Sequence, residues 1–343
     1  MRQAAAAAAL MAGAALALAQ APSRNEEIYR YRGVDRDARL IERAKQEGTV
    51  VLYTSLAPAE SRPLAAAFEK KHGIRVDLWR ALSDKVLQRT ITEANGRRHA
   101  VDVVETNSPE MEMISREKLL SEFFSPHVAD LLQNAIPPHR LWMPDRLNFY
   151  VVAYNTAKVR KSELPATYAG FTDARWKGRI GIEATDAEWM ATLIKAWGTD
   201  KGMAFFRKLA EMKPDVRKGH VLLAELIAAG EVPVGLTVYN GNAETLKRKG
   251  APIDWAPIEP VAARTQGIGV AKNAPHPHAA LLFADFVLSP EGQTLLDSMG
   301  RAPASTRVKS RMKAFPYIMI ETATVLDEAD KWERLWDELF IRK

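Results

Sequence analysis

Short runs of β-branched and aliphatic residues alternate along the chain with segments that have the apolar spacing of helices. The first run, residues 50–53, is uniformly apolar, as in a strand buried on both faces, and a helical pattern over residues 58–72 follows it. Pro58 suits the first turn of a helix, and Gly73 is a typical residue at a helix C-terminus. Strands that alternate with helices in this way predict a parallel sheet with right-handed crossovers, and therefore an α/β protein.

The alternation continues over most of the chain. Further strands are predicted over residues 74–79, 101–105, 149–154, 179–183, 232–239 and 267–271. Further helices are predicted over residues 83–95, 188–197, 201–212, 220–229, 243–249, 277–288 and 290–299, with another opening at Ser108. Near the C-terminus, Trp332, Leu335, Trp336, Leu339 and Phe340 follow the spacing of one apolar helical stripe, which predicts a docked amphipathic helix.

Two parts of the chain present the same strand, polar turn and helix. Residues 52–55 lead into the first helix, and residues 182–186 lead into another. Because ligands of open α/β sheets lie beyond the carboxyl ends of the strands, two such units facing each other would form a cleft lined by helix N-termini. The pattern is thus compatible with two lobes that face each other across a ligand cleft.

The N-terminus has the pattern of a cleavable signal peptide. Arg2 precedes an uncharged, alanine-rich run over residues 4–19, and Ala17, Leu18 and Ala19 supply a small-x-small cleavage pattern. This run is shorter than the roughly 20 apolar residues that span a bilayer, and no second run of comparable length follows. We predict a signal peptide over residues 1–19, a periplasmic location, and a mature chain with no transmembrane segment.

Composition narrows the function mainly by exclusion. The 343 residues include no cysteine, which excludes thiol catalysis, thiolate zinc sites and iron–sulfur clusters. The net charge of +6 is spread along the chain, so we predict no nucleic-acid partner. The G-x-S-x-G, H-E-x-x-H and P-loop motifs are also missing, so we predict a binding protein without enzymatic activity. A periplasmic hydrolase using a carboxylate pair such as Glu105 and Asp186 stays open as an alternative.

Several segments in one order resemble periplasmic solute-binding proteins of ABC importers, and among these the ferric-iron-binding subgroup. The segments that carry the resemblance are residues 47–55, 68–76, 100–105, 176–181, 229–234 and 286–293. The resemblance implies a two-lobed α/β clamshell with two crossing hinge strands and a ligand cleft between the lobes. On this basis we expect lobe one over residues 24–154 plus 267–343, lobe two over 155–266, and the hinge strands near 151–155 and 267–271. It also implies a monomer that delivers a small molecule or ion to a permease in the inner membrane and needs no cofactor.

The iron site of that subgroup is only partly present. Such proteins usually place two adjacent tyrosines after the strand of the second lobe, but here Asn240 follows Tyr239, and no histidine stands near residues 56–57. We therefore predict a small polar solute with an anionic or metal-chelating part. Ferric iron, bound as the transported ligand, is the alternative, and Tyr239, Asp186 and Glu105 would then be its ligands, since hard cations prefer oxygen donors.

The predicted ligand contacts in lobe one are the polar residues that follow its first three strands. Free N–H groups and hydroxyls at these turns suit an anion, although turn formation explains the same residues. An arginine there can hold a carboxylate or phosphate through two parallel hydrogen bonds, whereas a solvated arginine is equally compatible with the pattern. The candidates are Thr54, Ser55, Arg80, Glu105, Thr106 and Asn107.

The predicted contacts in lobe two follow its strands in the same way. The candidates are Thr185, Asp186, Trp189, Tyr239 and Asn240. Thr185 and Glu188 have the spacing of a capping box, which would explain Glu188 as a helix cap alone. Trp189 is either stacked on the ligand or part of the core, and Tyr239 either contacts the ligand or packs on a loop.

Overall fold

The computed structural model describes residues 24–342, so the signal peptide predicted over residues 1–19 lies outside the described residues. The helices are α1 Arg24–Arg30, α2 Arg36–Glu47, α3 Pro58–His72, α4 Ser83–Asn95, α5 Ser108–Arg116, α6 Ala187–Trp197, α7 Thr199–Glu211, α8 His220–Ala229, α9 Asn240–Arg248, α10 Pro277–Leu288, α11 Pro290–Ser298, α12 Thr322–Asp327 and α13 Ala329–Trp336, with a π-helical turn Asp337–Ile341. The strands are β1 Thr49–Thr54, β2 Arg75–Arg80, β3 Val103–Asn107, β4 Leu120–Ser121, β5 Met143–Asn155, β6 Ile180–Glu183, β7 Asp215–Arg217, β8 Val234–Tyr239, β9 Ile253–Ala256, β10 Ala262–Ala271, β11 Ala302–Pro303 and β12 Ile318–Met319.

The first lobe is built on parallel strands, as the alternating pattern predicts. β1 lies between β2 and β3 and is parallel to both, while β10 is antiparallel to β3. Pro58 begins α3, and Gly73 ends it with a φ of 69°, a left-handed conformation in which a side chain would be strained. Because three parallel strands end at one edge, the turns before α3, α4 and α5 also meet at that edge.

The second lobe repeats this arrangement on a smaller scale. β6 is parallel to both β7 and β8, and β5 is antiparallel to β8 and β9. The apolar faces of its helices bury a separate core that includes Trp189, Phe206 and Leu236. The first lobe has its own core around Phe68, Val103 and Phe283. The predicted class, an α/β fold with two lobes, is confirmed.

Two long strands connect the lobes. All 13 residues of β5 are buried, and the strand pairs with β10 up to Phe149 and with β8 from Tyr150 onward. β10 runs back beside it, with Ala263 opposite Phe149. β10 begins at Ala262, earlier than the hinge predicted from residue 267, because the polar residues Arg264 and Gln266 interrupt its apolar pattern.

The C-terminal helices lie elsewhere than expected. The sequence-based division put all of residues 267–343 in lobe one, but Trp332 and Trp336 belong to the core of the second lobe, where α13 packs against α6. The indole N–H of Trp336 donates to the backbone oxygen of Ala184 at 2.8 Å. The apolar stripe predicts that α13 is docked, but only the tertiary structure shows which lobe receives it.

Candidate functional site

A cleft of about 720 Å³ separates the two lobes. Its first-lobe wall includes the first turns of α3, α4 and α5, represented by Pro58, Ser83 and Pro109. Its second-lobe wall includes the first turns of α6 and α8, represented by Ala187 and His220. Free N–H groups and the positive ends of helix dipoles favour a negatively charged group at such positions.

Three predicted residues of the first lobe line this cleft, namely Ser55, Arg80 and Asn107. The guanidinium of Arg80 makes one marginal hydrogen bond, from Nη2 to the backbone oxygen of Ser55 at 3.5 Å, and its Nε is buried without a partner. The side chain of Asn107 donates to Ser83 Oγ at 2.6 Å. Arg80 is therefore a cation on the cleft wall whose hydrogen-bonding capacity is largely unused.

The other three first-lobe candidates lie behind the wall. Thr54 donates through its hydroxyl to Glu105, whose second oxygen accepts from Arg146. Thr106 is fully buried and donates to Ser55 Oγ at 3.0 Å. Glu105 is thus held as the partner of a buried arginine rather than presented to the cleft, and these three residues position the wall instead of forming it.

Two further arginines form the floor of the cleft, where the lobes meet. Arg146, from the crossing strand β5, pairs with Glu105 and with Asp145, and Arg301 donates to Glu60 at 2.8 Å. The Nε atoms of both arginines are buried without partners. Burial raises the pKa of Asp145, against the lowering effect of Arg146 and with a smaller raising effect from Glu105. The floor is therefore polar and incompletely hydrogen-bonded.

Tyr239 lies on the second-lobe wall in contact with two basic residues. Its ring stacks on His220, with centroids 3.6 Å apart at 24°, and its hydroxyl accepts from Arg264. Burial, with a contribution from Asp186, raises the pKa of Tyr239 well above its usual value of 10.0. Arg264 already occupies the hydroxyl oxygen that a metal ion would bind.

Glu183 and His220, which line the cleft, form a cluster with the buried Asp186, and one potential ligand atom of each lies within 4.8 Å of the others. His220 Nε2 lies 3.3 Å from Asp186 Oδ1, to which Tyr150 also donates at 3.2 Å. Glu183 accepts from the backbone N–H groups of Thr185 and Gly219. Most of these atoms already have partners, so a cation would compete with existing hydrogen bonds, but Asp186 Oδ2 is buried without a partner.

Glu188 is not a helix cap. Asp186, rather than Thr185, precedes α6, and no side chain caps the helix. Thr185 lines the cleft and donates to Glu183, while Glu188 pairs with Arg264 and accepts from Tyr150 at 3.0 Å. The capping-box interpretation is therefore wrong, because the glutamate is drawn to a buried arginine from another strand.

Trp189 and Asn240 are placed away from the cleft lining. Trp189 is fully buried and packs edge-on against Phe206, so the core interpretation of this residue is the correct one. Asn240 accepts from the backbone N–H of Phe149 at 3.0 Å and holds the start of α9 against the crossing strand. Neither residue is positioned to contact a ligand in this conformation.

Five basic residues of the site were missed by reasoning from the sequence, since Lys218 of the cleft wall belongs with the four that follow. Arg146 and Arg264 stand within the long, fully buried strands β5 and β10, where a charged residue is unusual, and this was the signal that could have identified them. His220 follows Gly219 at the start of α8, the same kind of helix-start turn that supplied the other candidates. Arg301 follows a helix C-terminus, and no sequence pattern marks it.

Residues 63–316 match the family described as bacterial extracellular solute-binding protein. The chain belongs to this family. The predicted resemblance is confirmed, and so is the predicted function as a solute-binding protein of ABC import. Members of the family are binding proteins that work outside the cytoplasm. Within residues 24–342, no helix has the length and apolar character needed to cross a membrane.

The relatives are distant but match over most of their length. Iron uptake protein A1 of Synechocystis sp. is 25% identical over 288 residues, 77% of this chain and 78% of that protein. The major ferric iron-binding protein of Neisseria meningitidis is 22% identical over 84% of this chain and 92% of its own length.

Solved structures support the fold of this solute-binding protein. The periplasmic binding protein AfuA of Actinobacillus pleuropneumoniae, solved with exogenous fructose-6-phosphate, aligns with a TM-score of 0.75 at 22% identity over 87% of this chain and 100% of its own. Iron-bound HitA of Pseudomonas aeruginosa aligns with a TM-score of 0.74 at 24% identity, over 84% and 99% of the two chains.

Proposed function

We propose that this solute-binding protein captures a small organic anion, with a carboxylate or phosphate group, in the cleft and delivers it to a permease in the inner membrane. The single observation that carries the proposal is Arg80. Among residues 24–342, the other basic side chains of the cleft wall and floor each have a carboxylate partner, whereas Arg80 has none within ion-pair distance. The pairs are Arg146 with Glu105, Arg264 with Glu188, Arg301 with Glu60, Lys218 with Asp84 and His220 with Asp186.

A partly buried guanidinium without a counter-charge is costly, because burial penalises charge that is not compensated. The surroundings of Arg80 add further attraction for an anion. Ser55 and the first turn of α3 lie on one side, and Ser83 at the start of α4 lies on the other. A carboxylate or phosphate there would accept two parallel hydrogen bonds from the guanidinium and further bonds from helix N-termini.

Ferric iron is the second candidate. Relatives carry iron in their names, and the cluster of Glu183, Asp186 and His220 supports the possibility of a cation site in this chain. Tyr239 weighs against iron, because its hydroxyl oxygen already accepts from the buried Arg264, a cation that would repel a metal ion there. The predicted iron ligand Glu105 is likewise engaged by Arg146.

Calorimetric titration with organic acids and phosphate esters tests whether the cleft binds an organic anion. Arg80→Gln should weaken binding about 10- to 100-fold, because hydrogen bonds to charged groups contribute about 1.5–3 kcal/mol each. Arg62→Gln, which removes an exposed arginine of α3, should leave the affinity unchanged. Equal affinities in the two variants would show that Arg80 does not hold the anion.

Ferric citrate tests the alternative. A phenolate–iron bond absorbs visible light, so a coloured one-to-one complex that is lost in Tyr239→Phe would favour iron and contradict the organic anion. We expect no such colour, and no thermal stabilisation by ferric citrate beyond that given by the same concentration of citrate without iron. We also expect the ligand to be released chemically unchanged, as checked by mass spectrometry, since the protein is proposed to have no enzymatic activity.

The remaining proposals concern the cellular context. Removal of residues 1–19 as a signal peptide would release the protein into the periplasm, where it would act as a monomer and pass its ligand to the permease. N-terminal sequencing of periplasmic extract should begin near Gln20. Sedimentation should give the mass of one chain.

A further inference from the structure

Large apolar side chains are exposed at few places among the described residues, and half of these places line the cleft. The strongly exposed large hydrophobic residues are Val34, Leu82, Met113, Leu222, Tyr317 and Ile341. Leu82, Met113 and Leu222 are 39%, 40% and 43% exposed, and all three belong to the cleft wall. Exposed apolar groups that cluster in one concave site indicate a binding surface rather than random surface composition.

These three residues come from both lobes and flank the cleft mouth. Leu82 directly precedes α4, and Leu222 lies in the first turn of α8. Lys218 Nζ reaches Asp84 Oδ2 across the mouth at 3.1 Å, so the two segments that carry Leu82 and Leu222 already approach each other. A Cβ atom placed on Gly219 would lie 4.0 Å from Leu82 Cδ2.

The apolar surface extends beyond the mouth. Leu87 of α4, Val221 of α8 and Leu326 of α12 also line the cleft and are only partly buried. Met113 stands on α5, which packs against both α4 and α12. A methionine adapts its shape to irregular apolar groups, which suits it to contact a ligand body. The cleft thus combines an anion-binding corner at Arg80 with an apolar wall contributed by both lobes.

We infer that the ligand is amphipathic: one anionic group held at Arg80, and an aliphatic or aromatic body that covers Leu82, Met113 and Leu222. This inference rests on the proposed function. A ferric ion or a small fully polar anion would leave the apolar side chains in contact with water. A ligand with an apolar body would remove them from water, with a free energy proportional to the apolar area covered.

Chain-length series test the inference. The full mature protein is titrated by calorimetry with straight-chain carboxylates from propionate to octanoate and with the matching alkyl phosphonates. The affinity should rise by about two- to fourfold for each added methylene, as expected when each methylene is partly or fully buried. Heat-capacity changes should become more negative along the series, because apolar burial lowers the heat capacity on binding.

Substitutions in the cleft wall test which residues cause the dependence of the affinity on chain length. Leu82→Asn combined with Leu222→Asn should flatten the dependence of the affinity on chain length. Met113→Gln should reduce the slope by a smaller amount. Val34→Asn replaces an exposed apolar residue away from the cleft and should not change the slope. Circular dichroism of each variant verifies that the fold is retained.

The outcomes separate the two proposals. If short anions bind in an Arg80-dependent way but the affinity does not change with chain length, the apolar body is wrong and the anion function stands. If the slope is present but survives the Leu82 and Leu222 substitutions, the apolar wall assigned here is wrong. If neither head-group series binds at any length, the proposed function and this inference both fail.

Discussion

Arg264 provides the sharpest test of how the cleft is held together. Its side chain is 6% exposed and pairs with Glu188, itself 6% exposed, while Asp186 lies 3.8 Å away and is fully buried. Arg264→Met keeps much of the packing volume but leaves Glu188 without a cation and Asp186 with His220 as its basic partner. Removing one partner of a buried ion pair costs about 3–5 kcal/mol, because the remaining charge is neither paired nor hydrated.

This cost translates into a measurable shift in melting temperature. With an unfolding entropy of about 2.1 cal/mol/K per residue, the roughly 320 described residues give about 0.7 kcal/mol/K, so the expected decrease in Tm is about 4–8 °C. Differential scanning calorimetry measures it directly. Arg207→Met, at an exposed position of α7, is the matched control and should change Tm by less than about 1 °C.

A double-mutant cycle identifies the cause. Glu188→Gln in the Arg264→Met background removes the unpaired buried charge of Glu188 and keeps an oxygen to which Tyr150 can donate. The double variant should therefore be about 1–2 kcal/mol more stable than Arg264→Met, as neighbouring groups couple by such amounts. A Tm within 1 °C of the wild type for Arg264→Met, or additive losses in the double variant, would refute the reasoning.

Three further predictions follow from single residues. Burial raises the pKa of Asp285 to about 6, so the folded protein holds a proton on this group that the unfolded chain releases. The free energy of unfolding should therefore decrease as the pH rises from 4 to 6, by up to about 1.4 kcal/mol per pH unit from this group. Urea titrations at several pH values should show a flatter pH profile for Asp285→Asn. Burial lowers the pKa of His220, but the carboxylates of Asp186 and Glu183 and the backbone oxygen of Thr237 raise it, and together they hold it above 6.5. Stability from the His220–Asp186 pair is complete below pH 6.5 and is lost as the pH rises through the raised pKa, a decline that His220→Gln should lack. Trp336→Ala should cost about 3–5 kcal/mol by emptying a core position, whereas an unchanged Tm would show that α13 is not docked as described.

The sequence by itself determined the elements and the turns that face the cleft. Buried strand runs, prolines at helix starts and glycines at helix ends are local signals, so β1, α3, β2 and α4 were predictable, whereas α1, α2 and the first residues of β5 were not predicted. Ser55, Arg80, Asn107, Thr185 and Tyr239, which line the cleft, were chosen for a similar reason, since residues at the carboxyl ends of parallel strands lie at the edge of the sheet where ligands bind.

Only the tertiary structure decided how the charges pair. The partners Arg264 and Glu188 are 76 residues apart, and Arg146 and Glu105 are 41 apart, so no local pattern connects them. The same holds for the docking of Trp336 on the second lobe. Pairing of buried charges and docking of apolar stripes depend on which surfaces the fold brings together, and that information lies in the packing of the two lobes rather than in the spacing of residues.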